Sequence, residues 1–242
     1  MLAIAYAPER QETPTRHTPH TASDGLVKRP FEGLDGGAVR VVNAKDHVFR
    51  EGDPASHVYI VEAGHLCIYR VLPDGRRQVM DFAYPGDIVG LGAIEAHGTN
   101  AQATERTRVR CFTLGDLREK AHDNGAFCMA LYSAMSQELV AARELVVTVG
   151  HRTATEKVAS FLLALSRRNA RRGTSPNELV LPMTRSDIAD FLGLTIETVS
   201  RTFTKFRHDG VIDLEQCVLV TIRDPRKLAD LAGGTASGKW NA

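Results

Sequence analysis

No stretch of this 242-residue sequence is apolar for the ~20 residues that a membrane-spanning helix needs. The opening run, Met1 to Ala7, breaks at once into Pro8-Glu9-Arg10 and lacks a basic segment before it, so it does not read as a secretion signal. A cytoplasmic protein is expected. Cysteine is sparse: Cys67, Cys111, Cys128 and Cys217 are scattered, with no CxxC pair, which removes the common thiolate zinc and redox motifs. They read as buried or inert thiols in a reducing compartment. Charge of one sign is also lacking. The formal net charge is +1, so bulk charge does not announce a nucleic-acid partner. No His-x-His pair with a nearby carboxylate is present, His57-Val58-Tyr59 being the nearest approach. No nucleophile–base constellation stands out either, so neither a metal site nor an enzyme is expected.

What the sequence does contain is ordered by position. Residues 151–242 carry 14 Lys/Arg against 10 Asp/Glu, and residues 1–150 carry 16 against 19. The excess lies on the side expected if the C-terminal part faces phosphates. Residues 1–36 hold Pro8, Pro14, Pro19 and Pro30 among many Thr and His and show no period. They read as a flexible tail. From 37 to about 115, short β-rich runs (Val39–Val42, Val58–Val61, Leu66–Val71, Val79–Ala83 and Val109–Phe112) alternate with turn signals such as Pro73-Asp74-Gly75 and Pro85-Gly86-Asp87. Short strands at even spacing point to a small barrel or jelly roll, here residues 37–122.

The period then changes. Cys128, Leu131, Met135, Leu139, Ala142, Val146 and Val149 step by three or four, one apolar seam on a long helix within 123–151. The seam can pack on its own barrel or pair with the same helix of a second chain. A further amphipathic helix over 153–171 ends in Arg167-Arg168-Asn169-Ala170-Arg171-Arg172-Gly173. Its arginines suit the negative helix end and are read either as solvated or as phosphate-facing.

The informative segment lies in 152–242. Thr184-Arg185-Ser186-Asp187 can open a short helix with Ile188, Phe191 and Leu192 on one face, ended by Gly193. Thr195 can cap a second helix, Ile196 to about His208, with Ile196, Val199, Phe203 and Phe206 as the expected buried stripe. Glu197, Ser200, Arg201 and Lys205 share the opposite face. Arg can pair with guanine O6 and N7, Glu can accept from cytosine N4, and Ser can bond to either base or phosphate. Glu197 and Arg201 also have the spacing of an ordinary ion pair. Val211–Leu214 and Val218–Ile222 read as a hairpin wing. Short helix, tight turn, second helix and wing match the helix-turn-helix plan. Arg185, Thr195, Thr198 and Lys205, with Arg207, are candidates for the DNA backbone.

The run Met183 to Arg201, with Glu197, Ser200 and Arg201 in an E-x-x-S-R arrangement, resembles the DNA-binding signature of the CRP/FNR superfamily in its FixK-like form. Gly86-Asp87-Ile88-Val89-Gly90 and the long helix extend the likeness over roughly 37–232. The resemblance implies an α+β protein: a cyclic-nucleotide-binding-like β-roll, a long dimerisation helix and a C-terminal winged helix-turn-helix. It implies a homodimer on double-stranded DNA at a TTGAT-N4-ATCAA-like palindrome, activating transcription through RNA polymerase in a low-oxygen or nitrogen-oxide response. Glu197, Ser200 and Arg201 would then read bases, while Leu131, Met135, Leu139, Ala142, Val146 and Val149 would form the dimer seam. The alternative is an effector-dependent repressor or dual regulator with a ligand in the β-roll.

Departures from the family's sensors matter. An iron–sulfur cluster needs four thiolates, yet residues 1–66 hold no cysteine. Cys111, in step with Val109, reads as core. Around Gly92-Ala93-Ile94-Glu95 and Asn100-Ala101-Gln102 no Arg-Ser pair is present to hold a cyclic phosphate. His47, His57, His65, His97 and His122 show no spacing that selects a haem ligand. No cofactor is expected. Cys217, on the expected wing, is a candidate for oxidation that weakens DNA binding.

Overall fold

The computed structural model describes residues 36–92, 95–216 and 218–233. The expected tail therefore lies outside the described residues apart from Gly36, as does Cys217. Eight strands build the first half: β1 (Ala38–Val42), β2 (His47–Phe49), β3 (His57–Ala63), β4 (Leu66–Val71), β5 (Arg77–Ala83), β6 (Ile88–Val89), β7 (Asn100–Ala103) and β8 (Thr107–Thr113). They form two four-stranded antiparallel sheets, in the orders β1-β8-β3-β6 and β2-β7-β4-β5. Val42, Val61 and Val109 of the first sheet share one buried cluster with Val48, Phe49, Leu66, Ala83, Ala101 and Ala103 of the second. The sheets thus close face to face, and half-buried Cys111 packs against that cluster.

Each sheet also has apolar residues on its outer face that other elements cover, although Val39 and Val41 of β1 stay exposed. Strand alternation sends Val58 and Phe112 to the side opposite Val61 and Val109. There they meet Leu117 of α1 (Leu114–Asp123) and Phe127 at the start of α2 (Gly125–His151). On the second sheet the outward residues are Cys67, Val79, Phe82 and Tyr84, and they join the core of the C-terminal half. A bulge makes this possible. Cys67 pairs with Phe82 and Ile68 with Asp81, but Tyr69 pairs with Val79, so the register slips past Met80. The slip re-phases β5, bringing Arg77, Val79 and Phe82 to one face.

The C-terminal half comprises α3 (Ala154–Arg171), β9 (Glu178–Val180), α4 (Arg185–Leu192), α5 (Ile196–His208), β10 (Ile212–Glu215), β11 (Leu219–Ile222) and α6 (Pro225–Leu231). The strands form a sheet in the order β10-β11-β9. Val158, Phe161, Leu162 and Leu165 of α3 pack with Ile188, Leu192, Val199, Phe203 and Phe206. Phe82 of the β-roll lies 5.5 Å from the Phe191 ring and 6.5 Å from the Phe161 ring, centroid to centroid. Polar bonds reinforce the seam: Arg77 pairs with Asp187 at 2.7 Å, and Gln78 Nε2 donates to the Asp190 carbonyl at 2.7 Å.

The four arginines at the end of α3 divide: Arg167 and Arg171 are exposed, whereas Arg168 and Arg172 are neither simply solvated nor turned toward an open surface. Arg168 and Arg172 each ion-pair with Asp87 in the β5–β6 turn, and all three side chains are only 21–26% exposed. Arg168 also donates to the Phe82 carbonyl and lies over the Tyr84 ring, while Arg172 donates to the Pro85 carbonyl.

One core histidine carries a pH cost. His97 is 3% exposed, stacks on Phe49 at 3.8 Å, and has no partner for Nε2. Burial lowers its pKa from the ordinary 6.5. The folded protein therefore binds this proton more weakly than the unfolded chain. The resulting stability is held above about pH 6.5 and falls as pH drops below it toward the folded pKa. Urea unfolding at pH 7.5 and 5.5 should show an acid loss of stability that is smaller in His97→Phe than in wild type.

Candidate nucleic-acid interface

The helix-turn-helix is set by local hydrogen bonding. Thr184 and Asp187 form a reciprocal capping box at the start of α4: Asp187 N donates to Thr184 Oγ1 at 3.1 Å, and Thr184 N to Asp187 Oδ2 at 2.9 Å. Gly193 ends α4 at φ +61°, ψ +47°, a left-handed conformation that costs an L side chain energy. Thr195 then caps α5, its hydroxyl accepting from Thr198 N at 3.2 Å and sitting 3.0 Å from Thr198 Oγ1. Val199, Thr202, Phe203 and Phe206 bury the back of α5. Its front carries exposed Glu197, Arg201 and Lys205, with half-buried Ser200 beside them.

One feature of α5 differs from the sequence expectation, and one alternative reading of its front face is not realised. Ile196 is 46% exposed and lies outside the buried stripe, because at the first turn its side chain has no element beneath it. Glu197 and Arg201 form no ion pair. Arg201 Nε donates instead to the Glu197 backbone carbonyl at 3.3 Å. The Glu197 carboxyl is held below the usual range by its own backbone N–H, then by the Thr195 hydroxyl and the nearby Arg201 charge. An ionised, exposed carboxylate is an acceptor only, which suits a cytosine amino group. Of the backbone candidates, Thr195 and Lys205 are exposed and Thr198 is half-buried. Arg185 is half-buried, its guanidinium 3.7 Å over the Phe203 ring. The base-reading candidates and these residues thus come together on α5 and the start of α4.

The seam on α2 divides. Met135 (51% exposed), Leu139 (52%) and Val146 (73%) are bare, with exposed Ala142 between them. Leu131 packs against the Val58–Phe112 cluster, and Val149 is half-buried with Gly193 beside it. Tyr132, 66% exposed, lies on the bare side; the sequence reading passed over it. Its spacing of three from Met135 was the available signal.

The remaining sensor options meet specific geometry. A shallow groove of about 270 Å³ between the β-roll and α2 is lined by Leu91, Gly92, Met135, Glu138, Leu139 and Ala142. Among the described residues its lining holds one carboxylate, Glu138, and neither lysine nor arginine. Among the histidines, His47 Nε2 bonds Tyr69 Oη at 2.9 Å, His57 Nδ1 bonds Ser56 Oγ at 2.8 Å, and His65 pairs with Glu105. Among the described residues no group of His, Cys, Asp or Glu could hold a metal ion, and no helix is long and apolar enough to cross a membrane.

A winged helix-turn-helix docked on a β-roll, with exposed polar side chains along the front of its second helix, is the architecture of a DNA-binding regulator. Two family models match the chain: the cyclic nucleotide-binding domain over residues 39–124 and the Crp-like helix-turn-helix domain over 156–231. The nitrogen fixation regulation protein FixK of Bradyrhizobium diazoefficiens is 38% identical over 209 residues, spanning 86% of this chain and 87% of its own. The transcriptional activator protein Anr of Pseudomonas protegens is 36% identical, spanning 90% and 86%. The solved structure of FixK2 from Bradyrhizobium japonicum superposes with a TM-score of 0.75 at 32% identity, covering 81% of this chain and 97% of that one. The chain belongs to the CRP/FNR family of transcription regulators and resembles its FixK-like members, which are not enzymes.

The turn gives a direct test of the site's construction. Gly193→Ala should destabilise the protein by about 1–2 kcal/mol, the cost of a left-handed L residue, read as a shift in the urea midpoint with unchanged slope.

Proposed function

We propose that the chain acts as a homodimer on a TTGAT-N4-ATCAA-like palindrome and activates transcription by touching RNA polymerase. Its setting is a low-oxygen or nitrogen-oxide response in the cytoplasm, with no cluster or other cofactor required. The observation that carries this reading is the front of α5: Glu197, Ser200 and Arg201 share one face of the helix that follows the turn, and the ionised Glu197 carboxylate is not taken up in a side-chain ion pair with Arg201. In this reading Arg201 pairs with guanine and Glu197 with cytosine. Arg185, Thr195, Thr198 and Lys205 hold phosphates and fix the register without reading sequence.

Dimerisation rests on the bare side of α2. Met135, Leu139, Ala142 and Val146 continue a 3.5-residue repeat, and apolar side chains left this exposed along one helix are covered by a matching helix. Leu131 and Val149 flank the seam and tie it to the β-roll and to the reading head. The names of the relatives, a nitrogen fixation regulator and a transcriptional activator, support the sign and setting of the response.

The test is fluorescence anisotropy in air, without added ligand, on the palindrome and on scrambled DNA at fixed salt. Wild type should prefer the palindrome, and Arg201→Ala and Glu197→Ala should each lose ~1–3 kcal/mol on it. If either variant keeps full sequence preference, the base-reading assignment fails. Val146→Glu should sediment as a monomer and lose the palindrome; a dimeric Val146→Glu chain would count against the α2 seam.

A further inference from the structure

The covalent link between α2 and α3 is short: α2 ends at His151, α3 starts at Ala154, and Arg152 and Thr153 lie between them in extended conformation. Two extended residues make a joint, not an orientation. The orientation of the reading head is set by what its helices grip on the β-roll, and the most elaborate grip is at Asp87.

Asp87 is itself fixed. Its Oδ2 accepts from Tyr84 N at 2.8 Å and its N donates to the Tyr84 carbonyl at 2.9 Å, so the carboxylate is built into the β5–β6 turn. Its two oxygens then take different partners. Oδ2 pairs with Arg168 and Oδ1 with Arg172, one helical turn apart at the end of α3. Each arginine spends a second nitrogen on a backbone carbonyl of the β-roll, Phe82 for Arg168 (3.1 Å) and Pro85 for Arg172 (2.9 Å). Arg168 also stacks 4.3 Å from the centre of the Tyr84 ring. A forked guanidinium bound on both sides resists rotation as well as separation. The second grip, Arg77 to Asp187 and Gln78 to the Asp190 carbonyl, holds α4. None of these groups is on the front of α5.

We propose that Asp87, Arg168 and Arg172 are positioning residues that set which half-site spacing the regulator accepts. The proposal rests on the dimeric, palindrome-binding reading above. Adding one base pair between half-sites moves them apart by about 3.4 Å and turns one relative to the other by about 35°. With the α2 pair fixed, each reading head could follow only by swinging about the α2–α3 joint. That swing would have to break the pairs at Asp87, because hydrogen bonds weaken steeply with such displacements. Added to the apolar bed beneath α3 and α4, the clamp fixes the rotation of the head so that it presents α5 at a single distance from its twin.

The experiment uses the full chain, with Asp87→Ala and Arg172→Ala as independent variants, each checked for a cooperative melt and for its oligomeric state. Binding is measured on duplexes with TTGAT and ATCAA separated by three, four, five or six base pairs, and on four-base-pair duplexes with the guanine contact substituted. Wild type should favour four base pairs over three or five by about tenfold or more. In both variants that ratio should fall to about threefold or less, while discrimination at the guanine stays at its wild-type value. A uniform loss of affinity at every spacing would show a merely structural role and overturn the proposal. So would an unchanged spacing ratio, or tighter binding at four base pairs with the ratio intact. A wild-type chain that reads TTGAT but ignores spacing overturns the clamp alone; one that prefers no palindrome at all overturns the dimeric reading with it.

Discussion

The outer face of the β4–β5 pair is the surface on which the two halves of this molecule meet. A sheet with one face packed against its partner sheet would ordinarily present polar residues on the other. Here the second face is apolar, and Cys67, Val79, Phe82 and Tyr84 lie under α3 and α4 in one continuous cluster. Each large side chain covered in this way contributes on the order of 1.5–3 kcal/mol relative to exposure. The register slip past Met80 is what aligns Arg77, Val79 and Phe82. Without it β5 would present a mixed face, and the helix-turn-helix would lack both its apolar bed and the ion pair at Asp187.

Polar groups at the seam serve two structures at once. Asp187 closes the capping box that starts α4 and also accepts the Arg77 guanidinium. Asp87 shapes a β-turn and holds two arginines of α3. Local secondary structure and inter-domain orientation are thereby coupled through single carboxylates.

Much of this architecture was legible in the sequence. The three- and four-residue spacing from Cys128 to Val149 lies within α2, and Thr184, Gly193 and Thr195 mark the ends of α4 and the start of α5 where capping chemistry places them. Elements that escaped notice are short or weakly patterned. β2, β6 and β9 have two or three residues each, and β7 is Asn-Ala-Gln-Ala, with none of the β-branched residues that announce a strand. They exist because neighbouring strands supply their hydrogen bonds. The exposure of Ile196 was hidden for a related reason: helical spacing assigns a face, but whether anything lies beneath the first turn depends on tertiary placement. The roles of Arg168 and Arg172 were equally invisible, since their common partner lies more than 80 residues earlier in the chain.

Cys67 shows what the seam does to chemistry. The thiol is 1% exposed, burial pushes its pKa up to about 12, and Arg77 Nη2 donates to Sγ at 2.9 Å. At neutral pH the protonated thiol, not the nucleophilic thiolate, is the form present. Peroxides and electrophiles therefore meet an inert sulfur while the halves stay together. Marking of Cys67 requires an opening that uncovers the outer face of β4 and β5, so the rate of that marking is a clock for how often this face comes ajar.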